Sequence, residues 1–180
     1  MIAPDMLSFT SRLHYHGRLV FTSAHRIGAE RSLDVTAPDL PILRTVDGRP
    51  YIPGSSFKGA WRAYTEAILR TIQAQHNLGI KLACDPLTED GRRLPQSRVS
   101  DIKSTHKNYQ KVLDDTLRAE SCLTCRVFGN GHLASKLLIK DLMIEPVTFY
   151  RTEVRDGVAI DRDSVRAADG FKYQFETVPA

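Results

Sequence analysis

The stretch YIPGSSFKGAWR, residues 51–62, places a Pro-Gly-Ser-Ser turn directly before a helical pattern. Apolar residues then recur at spacings of three and four, which predicts an amphipathic helix of about five turns. These residues are Phe57, Ala60, Trp61, Tyr64, Ala67, Ile68 and Ile72. Ser55 or Ser56 is the natural N-cap. Gly59 carries no side chain, so we expect another backbone segment to approach the helix there.

Two cations, Lys58 and Arg62, lie in the first turns of this predicted helix. A helix N-terminus carries partial positive charge, so cations are unfavourable there unless an anion is bound. Their spacing of four residues places both side chains on one face. Backbone N–H groups and the two serine hydroxyls suit a phosphate or sulfate. The alternative is a well-capped helix with a solvated cationic face.

The composition is that of a soluble globular protein of one domain. The chain has 180 residues, of which 42% are hydrophobic and 26% charged. Its 25 Lys and Arg outnumber 21 Asp and Glu, which permits a polyanionic partner without requiring one. No apolar run is long enough for a membrane span, and no signal peptide is recognisable. Three cysteines do not form a disulfide framework, so we expect a reducing cytoplasm.

Regular structure is also expected outside the helix. Residues 11–22 alternate between apolar and polar, which predicts a half-buried strand. Residues 23–53 indicate an irregular loop with a turn at Asp47-Gly48. Polar residues 73–121 resemble an insertion that contains a second, weaker helix at 107–120. Strands are predicted over 136–150 and 171–178.

The three cysteines lie in or beside this insertion. Cys122 and Cys125 form a Cys-x-x-Cys pair, and Cys84 lies upstream. Three cysteines and one histidine satisfy a structural zinc site, which would stabilise a segment poor in apolar residues. His76 is the first choice of fourth ligand and His106 the second, and spacing does not decide between them. A redox pair and buried free thiols are the alternatives.

Two further segments contain residues suited to catalysis or to nucleic-acid binding. Asp34 and Asp39 lie in a loop with His25, Arg26 and Arg31, where a carboxylate can hold a metal ion or orient an attacking hydroxyl. Turn formation is the alternative role for both acids. Residues 151–163, RTEVRDGVAIDRD, are too polar for a core. They predict either an exposed hairpin or an arm that contacts nucleic-acid backbone.

These motifs together resemble the RAMP superfamily, the repeat-associated proteins of CRISPR effectors. The matching stretches, in the family's order, are APDLPIL, TVDGRPYIPGSS with FKGAWR, CLTCRVFG with ASKLLIKD, and RTEVRDGVAIDRD. The match is greatest to the repeated backbone subunit of type III effector complexes. The resemblance implies an α+β, ferredoxin-like fold of the RNA-recognition type in βαββαβ order. It implies a single RAMP domain over 1–180, a zinc-bearing insertion over 73–135 and a β-hairpin thumb over 151–170.

The resemblance also implies functional residues and partners. Asp39 matches the family's catalytic aspartate, with Asp34 the weaker candidate, in divalent-ion-dependent cleavage of target RNA; magnesium is the expected ion. Contacts to CRISPR RNA are implied for one set of residues: His25, Arg26, Gly54, Ser55, Ser56, Lys58, Arg62, Arg151, Arg155 and Arg162. The family's zinc knuckle fits Cys84, Cys122 and Cys125, to which the residue pattern adds His76 as the first choice of fourth ligand. The implied partners are CRISPR RNA, single-stranded target RNA and other effector subunits in a filament-like complex, with no membrane.

Alternatives to a ribonuclease subunit stay open. The chain is also compatible with a non-catalytic architectural subunit of the same kind of complex. A zinc-stabilised RNA-binding protein unrelated to CRISPR is a third candidate. The strand–helix–strand–strand pattern reaches Ala180 before a second helix and a last strand, so we expect a fragment, or one piece of a fused or split subunit.

Overall fold

The computed structural model describes residues 11–31, 36–76, 78–85, 96–106, 109–131, 133–147, 149 and 151–180. The chain divides into two compact units. The hairpin unit contains the described residues of Met1–Leu43 and Pro146–Ala180, and the helical unit is Arg44–Glu145. Asp34 lies outside the described residues, as does His132.

The fold is mixed α and β, as predicted. In the described residues there are four helices and four strands in two small antiparallel sheets. In chain order they are β1 (Tyr51–Ile52), α1 (Gly54–Gln75), α2 (Gln96–Thr105), α3 (Tyr109–Glu120), α4 (Leu123–Phe128), β2 (Leu142–Met143), β3 (Glu153–Ile160) and β4 (Ala167–Thr177).

Helix α1 confirms the helical pattern, but its N-terminus differs from the prediction. Pro53 is the N-cap residue, and no side chain of the local sequence caps the helix, so the cap predicted at Ser55 or Ser56 is wrong. The Gly54 N–H group instead donates to Asp141 Oδ1 at 2.9 Å. The close backbone approach also occurs at Gly54 rather than at Gly59, whose Cβ position has no atom within 4 Å.

The insertion is more helical than its sequence indicated. The predicted second helix is confirmed as α3, whereas α2 and α4 were not anticipated. Helix α4 contains six residues and begins at the N-cap Cys122, so the Cys-x-x-Cys pair opens a short helix. Within the described part of the chain, none of the helices combines the length and the apolar character that crossing a bilayer requires.

The sheet of the helical unit is shorter than predicted. β1 pairs antiparallel with β2 through Tyr51↔Met143 and Ile52↔Leu142. Among the described residues of the strand predicted over 136–150, only Leu142 and Met143 are in a strand. The turn at Asp47-Gly48 is confirmed: Thr45 and Arg49 exchange hydrogen bonds across it, and Gly48 has a φ of +82°.

The hairpin unit is built on the antiparallel pair β3–β4, whose register runs from Glu153↔Thr177 to Ile160↔Ala167. The loop that contains Asp39 lies along β4: Leu40 N–H donates to the Gln174 carbonyl, and Glu176 N–H donates to the Leu40 carbonyl, each at 3.0 Å. His25 exchanges two backbone hydrogen bonds with Val178. The loop that contains Asp39 is therefore hydrogen-bonded to β4 along one edge of the hairpin.

The strand predicted over residues 11–22 is not formed. Leu13 and Tyr15 are 77% and 86% exposed, and residues 11–20 have no regular structure. Alternation shows which side chains would share a face, but a strand needs a neighbour to pair its backbone groups. The described residues form two two-stranded antiparallel sheets, β1–β2 and β3–β4.

Candidate functional site

The three cysteines form a buried cluster in the helical unit. Cys84, Cys122 and Cys125 have exposed fractions of 5%, 2% and 2%. Their sulfur atoms all lie within 4.8 Å of one another, and Cys84 Sγ is 3.5 Å from Cys125 Sγ. This distance is far longer than a disulfide bond of about 2.05 Å. The cluster therefore consists of free cysteines brought together from two segments.

Backbone hydrogen bonds hold these two segments together. The N–H groups of Leu123 and Thr124 donate to the carbonyls of Lys81 and Leu82, each at 3.0 Å. The Thr124 hydroxyl donates to the same Leu82 carbonyl. At the start of α4, Cys125 N–H donates to Cys122 Sγ at 3.4 Å. The geometry of the sulfurs is thus set by paired backbone rather than by side-chain packing alone.

The environment favours a thiolate at one of the three sulfurs. The hydrogen bond between the side chains of Cys122 and Cys125 lowers the pKa of Cys122 to about 5 and raises the pKa of Cys125. Burial raises the pKa of Cys84. Three sulfurs this close cannot all carry charge without a cation, because like charges repel in a buried site. A metal ion would stabilise all three as thiolates.

The cluster fits a soft divalent ion such as zinc. Two sulfurs bound tetrahedrally to one zinc at about 2.3 Å lie about 3.8 Å apart, close to the 3.5 Å between Cys84 and Cys125. Three thiolates supply three of the four donors of a Cys3His structural zinc site. Among the described residues, neither His76 nor His106 belongs to the group of ligand atoms within 4.8 Å. His76 is exposed at the C-cap of α1.

A polar stripe on α1 docks the cysteine-bearing segments, and sequence reasoning missed it. Glu66 is buried and accepts from Arg62 Nε at 2.8 Å, while Arg70 lies 4.0 Å away on its other oxygen. Arg70 also donates to the Cys84 carbonyl, and Gln73 accepts from Leu82 N–H at 2.7 Å. The available signal was the Arg-x-x-x-Glu-x-x-x-Arg spacing at 62–70, which puts three charges on one helix face.

Arg62 is the residue of this stripe that reaches the sulfurs. Its NH1 donates to the Gly129 carbonyl at 2.9 Å, and its NH2 lies 3.6 Å from Cys125 Sγ. Burial lowers the pKa of the Arg62 guanidinium, but Glu66 and the two nearby cysteines outweigh burial, so the pKa lies above its ordinary value. The side chain predicted to face a phosphate therefore points at the cysteine cluster.

The other residues of the IPGSS motif lie at the start of α1. Gly54 N–H is bound to Asp141, and Lys58 Nζ donates to Ser135 Oγ at 2.7 Å. Ser55 and Ser56 are exposed. The structure thus brings the predicted guide contacts of this motif onto one helix, with three of them, Gly54, Lys58 and Arg62, already bonded within the protein.

Asp39, the predicted catalytic residue, lies beside the hairpin. Its Oδ2 accepts from Gln174 N–H at 2.9 Å, and its Oδ1 is 3.9 Å from Arg31. The side chain of Asp39 is 41% exposed and that of Arg31 76% exposed. The carboxylate is therefore oriented by β4 and still faces solvent.

A buried carboxylate that sequence reasoning did not identify fixes this loop. Glu176 on β4 has an exposed fraction of 7%. It accepts from Ile42 N–H at 3.1 Å and from the Thr152 hydroxyl at 2.6 Å. A glutamate in a polar, alternating strand gives no sequence signal of burial, because its face is decided by pairing register. Glu176 ties the loop after Asp39 to the hairpin.

The remaining basic residues predicted to contact RNA lie in the hairpin unit. His25 stacks on Phe21 at a centroid distance of 3.7 Å, and burial lowers the pKa of His25. Arg26 donates to the Pro41 carbonyl at 3.4 Å. Arg155 pairs with Glu153 at 3.0 Å. Arg151 and Arg162 are exposed.

The chain belongs to the RAMP superfamily, whose family model matches residues 10–180. Solved structures similar to it include two of type III-B Cmr-beta. The apo state of type III-B Cmr-beta shares 16% identity over 87% of this chain and 76% of that chain, with a TM-score of 0.37. Type III-B Cmr-beta bound to cognate target RNA shares 15% identity with the same coverage and a TM-score of 0.38. The search of curated proteins found no match.

Proposed function

We propose that this chain is a CRISPR RNA-binding backbone subunit of a type III effector complex that cleaves complementary target RNA. Membership of the RAMP superfamily over residues 10–180 supports this proposal. The order of the IPGSS, CLTCRVFG and RTEVRDG motifs along the chain supports the backbone-subunit role in particular. The ferredoxin-like core, the thumb over 151–170 and the cytoplasmic location belong to the same proposal.

The observation that carries the ribonuclease activity is the attachment of Asp39 to the hairpin. Gln174, which follows the predicted thumb in β4, donates its N–H to the Asp39 carboxylate at 2.9 Å. In the family pattern, cleavage takes place opposite each thumb. Asp39 and Gln174 are 135 residues apart in sequence, so this hydrogen bond attaches the predicted catalytic acid to the strand that continues from the predicted thumb.

Asp39 has the chemistry of a divalent-ion ligand. Magnesium is typically bound by one or two carboxylates together with substrate phosphate oxygens, so one oriented carboxylate fits that role. Asp39 would hold the ion, which supplies charge stabilisation at the scissile phosphate. The Arg31 pair is exposed and contributes little, so Asp39 can exchange it at small cost. Gln174 N–H keeps the carboxylate oriented during that exchange.

The test is cleavage of complementary RNA by the assembled complex in magnesium, with wild type and Asp39→Ala compared. We expect the variant to lose cleavage at one site while assembly and target binding stay intact. Asp47→Ala is the matched control, because Asp47 is another exposed carboxylate paired with an arginine, in the helical unit. Unchanged cleavage by Asp39→Ala would overturn the catalytic assignment.

One observation favours an architectural subunit instead. Both oxygens of Asp39 have protein partners, which is also the arrangement of a carboxylate that only closes a loop. In that case Asp39→Ala would loosen the loop and leave cleavage by the complex unchanged. The same variant separates the two functions wherever the complex cuts RNA.

We further propose that the cysteine cluster holds a structural zinc ion in the insertion over 73–135. Three buried sulfurs within 4.8 Å support this assignment. His76 remains the first choice of fourth ligand and His106 the second. The alternatives are a redox pair and free thiols.

A further inference from the structure

Arg62 connects α1 to the cysteine cluster through three separate hydrogen-bonding groups. Nε donates to Glu66, NH1 to the Gly129 carbonyl and NH2 to Cys125 Sγ. Only 20% of the side chain is exposed. A guanidinium is planar and presents its donors in a fixed fork, so three simultaneous contacts fix its orientation.

The charges on this helix face leave a net positive charge beside the sulfurs. Glu66 is shared by Arg62 at 2.8 Å and Arg70 at 4.0 Å, so two cations face one carboxylate. Three thiolates and one divalent ion together carry a net charge of −1 by formal count. The remaining cationic charge therefore offsets the negative charge of a metal–thiolate group.

We propose that Arg62 is a positioning residue of the metal site, which orients the Cys125 sulfur and offsets the charge of the metal–thiolate group. This inference rests on the proposed zinc site. It assigns Arg62 to the metal and not to a guide-RNA phosphate, the role that the IPGSS motif implied. The reason is geometric: the guanidinium already contacts a carboxylate, a carbonyl and a sulfur within the helical unit.

The consequence of this arrangement is a link between the metal and the start of α1. Arg62 spans from the helix to Cys125 in α4 and to Gly129 directly after it. Ser135, which follows in the same segment, donates to the Val127 carbonyl and accepts from Lys58. Metal binding at the cysteines thereby positions the partner of Lys58.

The experiment measures metal affinity directly, on the full chain stripped with a chelator and reloaded with Co²⁺ or Zn²⁺ alone. Competition with a chromophoric chelator gives the dissociation constant, and the Co²⁺ spectrum reports the thiolate-to-metal charge-transfer band. We expect Arg62→Ala to weaken metal binding by about 10- to 100-fold, as is typical for partners of metal ligands. The charge-transfer band should also shift, which a general loss of stability would not cause.

Arg49→Ala is the matched control. Arg49 is an arginine of the same helical unit, and its guanidinium pairs with the Asp47 carboxylate in the turn at Asp47-Gly48. The metal affinity and Co²⁺ spectrum of Arg49→Ala should match those of the wild type. Equal effects of the two substitutions would overturn the proposal.

Arg62→Lys keeps the test decisive where Arg62→Ala does not fold. Lysine retains the charge but lacks the fork, so we expect weaker metal binding than wild type with far-ultraviolet circular dichroism unchanged. Wild-type affinity in this variant would overturn the positioning role.

The outcomes also distinguish the positioning role of Arg62 from the proposed zinc site and from a role in binding guide RNA. A wild-type chain that binds no metal would overturn the zinc site itself. Normal metal affinity together with weakened RNA binding in both Arg62 variants would return Arg62 to the guide strand. Loss of metal affinity with normal RNA binding at saturating metal is the result we expect.

Discussion

At Gly54, the IPGSS motif packs against the backbone of Ile139 and Lys140. A Cβ atom at this site would collide with the Ile139 carbonyl oxygen and lie 2.8 Å from the Lys140 carbonyl oxygen. Backbone oxygens cannot retreat as a flexible side chain can. The glycine therefore permits close packing at the first turn of α1, in addition to any role in binding RNA.

We expect Gly54→Ala to lower the free energy of unfolding by about 1–3 kcal/mol, because the added methyl group overpacks the contact. Urea unfolding followed by circular dichroism measures this change. Gly59→Ala is the control in the same helix: its Cβ meets no atom within 4 Å, so alanine should stabilise by about 0.5–1 kcal/mol. Similar results for the two variants would contradict the close approach.

Asp39 and Arg62 show how contacts change the interpretation of a motif residue. Both have the side-chain chemistry that the family pattern needs. Asp39 remains 41% exposed beside β4, which keeps it available to RNA and a metal ion. Arg62 is turned toward the cysteines and mostly buried. The sequence alone suggests an RNA-related role for both residues equally, because it does not show which atoms each side chain contacts.

At the scale of elements, the cysteine-bearing insertion contains most of the buried hydrophobic residues in the described part of the chain: Leu82, Ala83, Cys84, Val99, Cys122, Cys125, Phe128 and Leu133. The buried cysteines themselves form a cluster of its core. A metal ion that joins Cys84 to Cys122 and Cys125 would cross-link the segment before α2 to α4, so its removal should destabilise both.

We therefore expect about one zinc ion per chain in protein purified without chelators, measured by elemental analysis. Cys122→Ser should lose the ion and lower the thermal unfolding midpoint, because the cluster loses one of its three thiolates. Chelator treatment of the wild type should reproduce that decrease. If protein prepared without chelators contains no metal, the zinc site is wrong and the three cysteines are free thiols.

The arginines of the β3–β4 hairpin differ in whether they form an ion pair. Arg155 is 3.0 Å from Glu153, whereas no ion pair to Arg162 is seen among the described residues. Next to Arg162, the Asp161 carboxylate accepts hydrogen bonds from Ser164, which lower the pKa of Asp161. That acid therefore helps form the turn at the hairpin tip, beside an exposed arginine.

We expect Arg162→Ala to weaken binding of single-stranded RNA and to reduce the slope of log affinity against log salt by about 0.7, the loss of one phosphate contact. Fluorescence anisotropy at several salt concentrations measures both quantities. Arg155→Ala should have the smaller effect, because Arg155 already pairs with Glu153. A slope that Arg162→Ala leaves unchanged would argue against the hairpin as an RNA-contacting arm.

For the whole molecule, the origin of bound RNA distinguishes the candidate functions. An effector subunit should co-purify with discrete guides that contain repeat sequence, whereas a general RNA-binding protein would retain heterogeneous RNA. We expect discrete guides when the chain is isolated with its natural partners, as shown by sequencing of the RNA. Salt dependence cannot serve here, because every phosphate contact releases counterions in either case.

Much of the local structure follows from the sequence. The spacing of Phe57 to Ile72 predicts α1, Asp47-Gly48 predicts its turn, and the Cys-x-x-Cys pair with Cys84 predicts a thiolate cluster. Alternation over residues 11–22 predicts a strand that does not form among the described residues. Periodicity is a property of neighbours in sequence and succeeds for helices, whose hydrogen bonds are local. A strand needs hydrogen bonds from another strand that is distant in sequence, and periodicity does not show which segment that is.

The sequence by itself determined the family, the main helix and the residue types of each candidate site. Only the tertiary structure decided which partners those residues have. It placed Asp39 on Gln174, Arg62 on Cys125 and Asp141 at the start of α1. These contacts join residues from 63 to 135 positions apart. The physical reason is that hydrogen bonds and charge pairs depend on distance in space, which the order of residues along the chain does not specify.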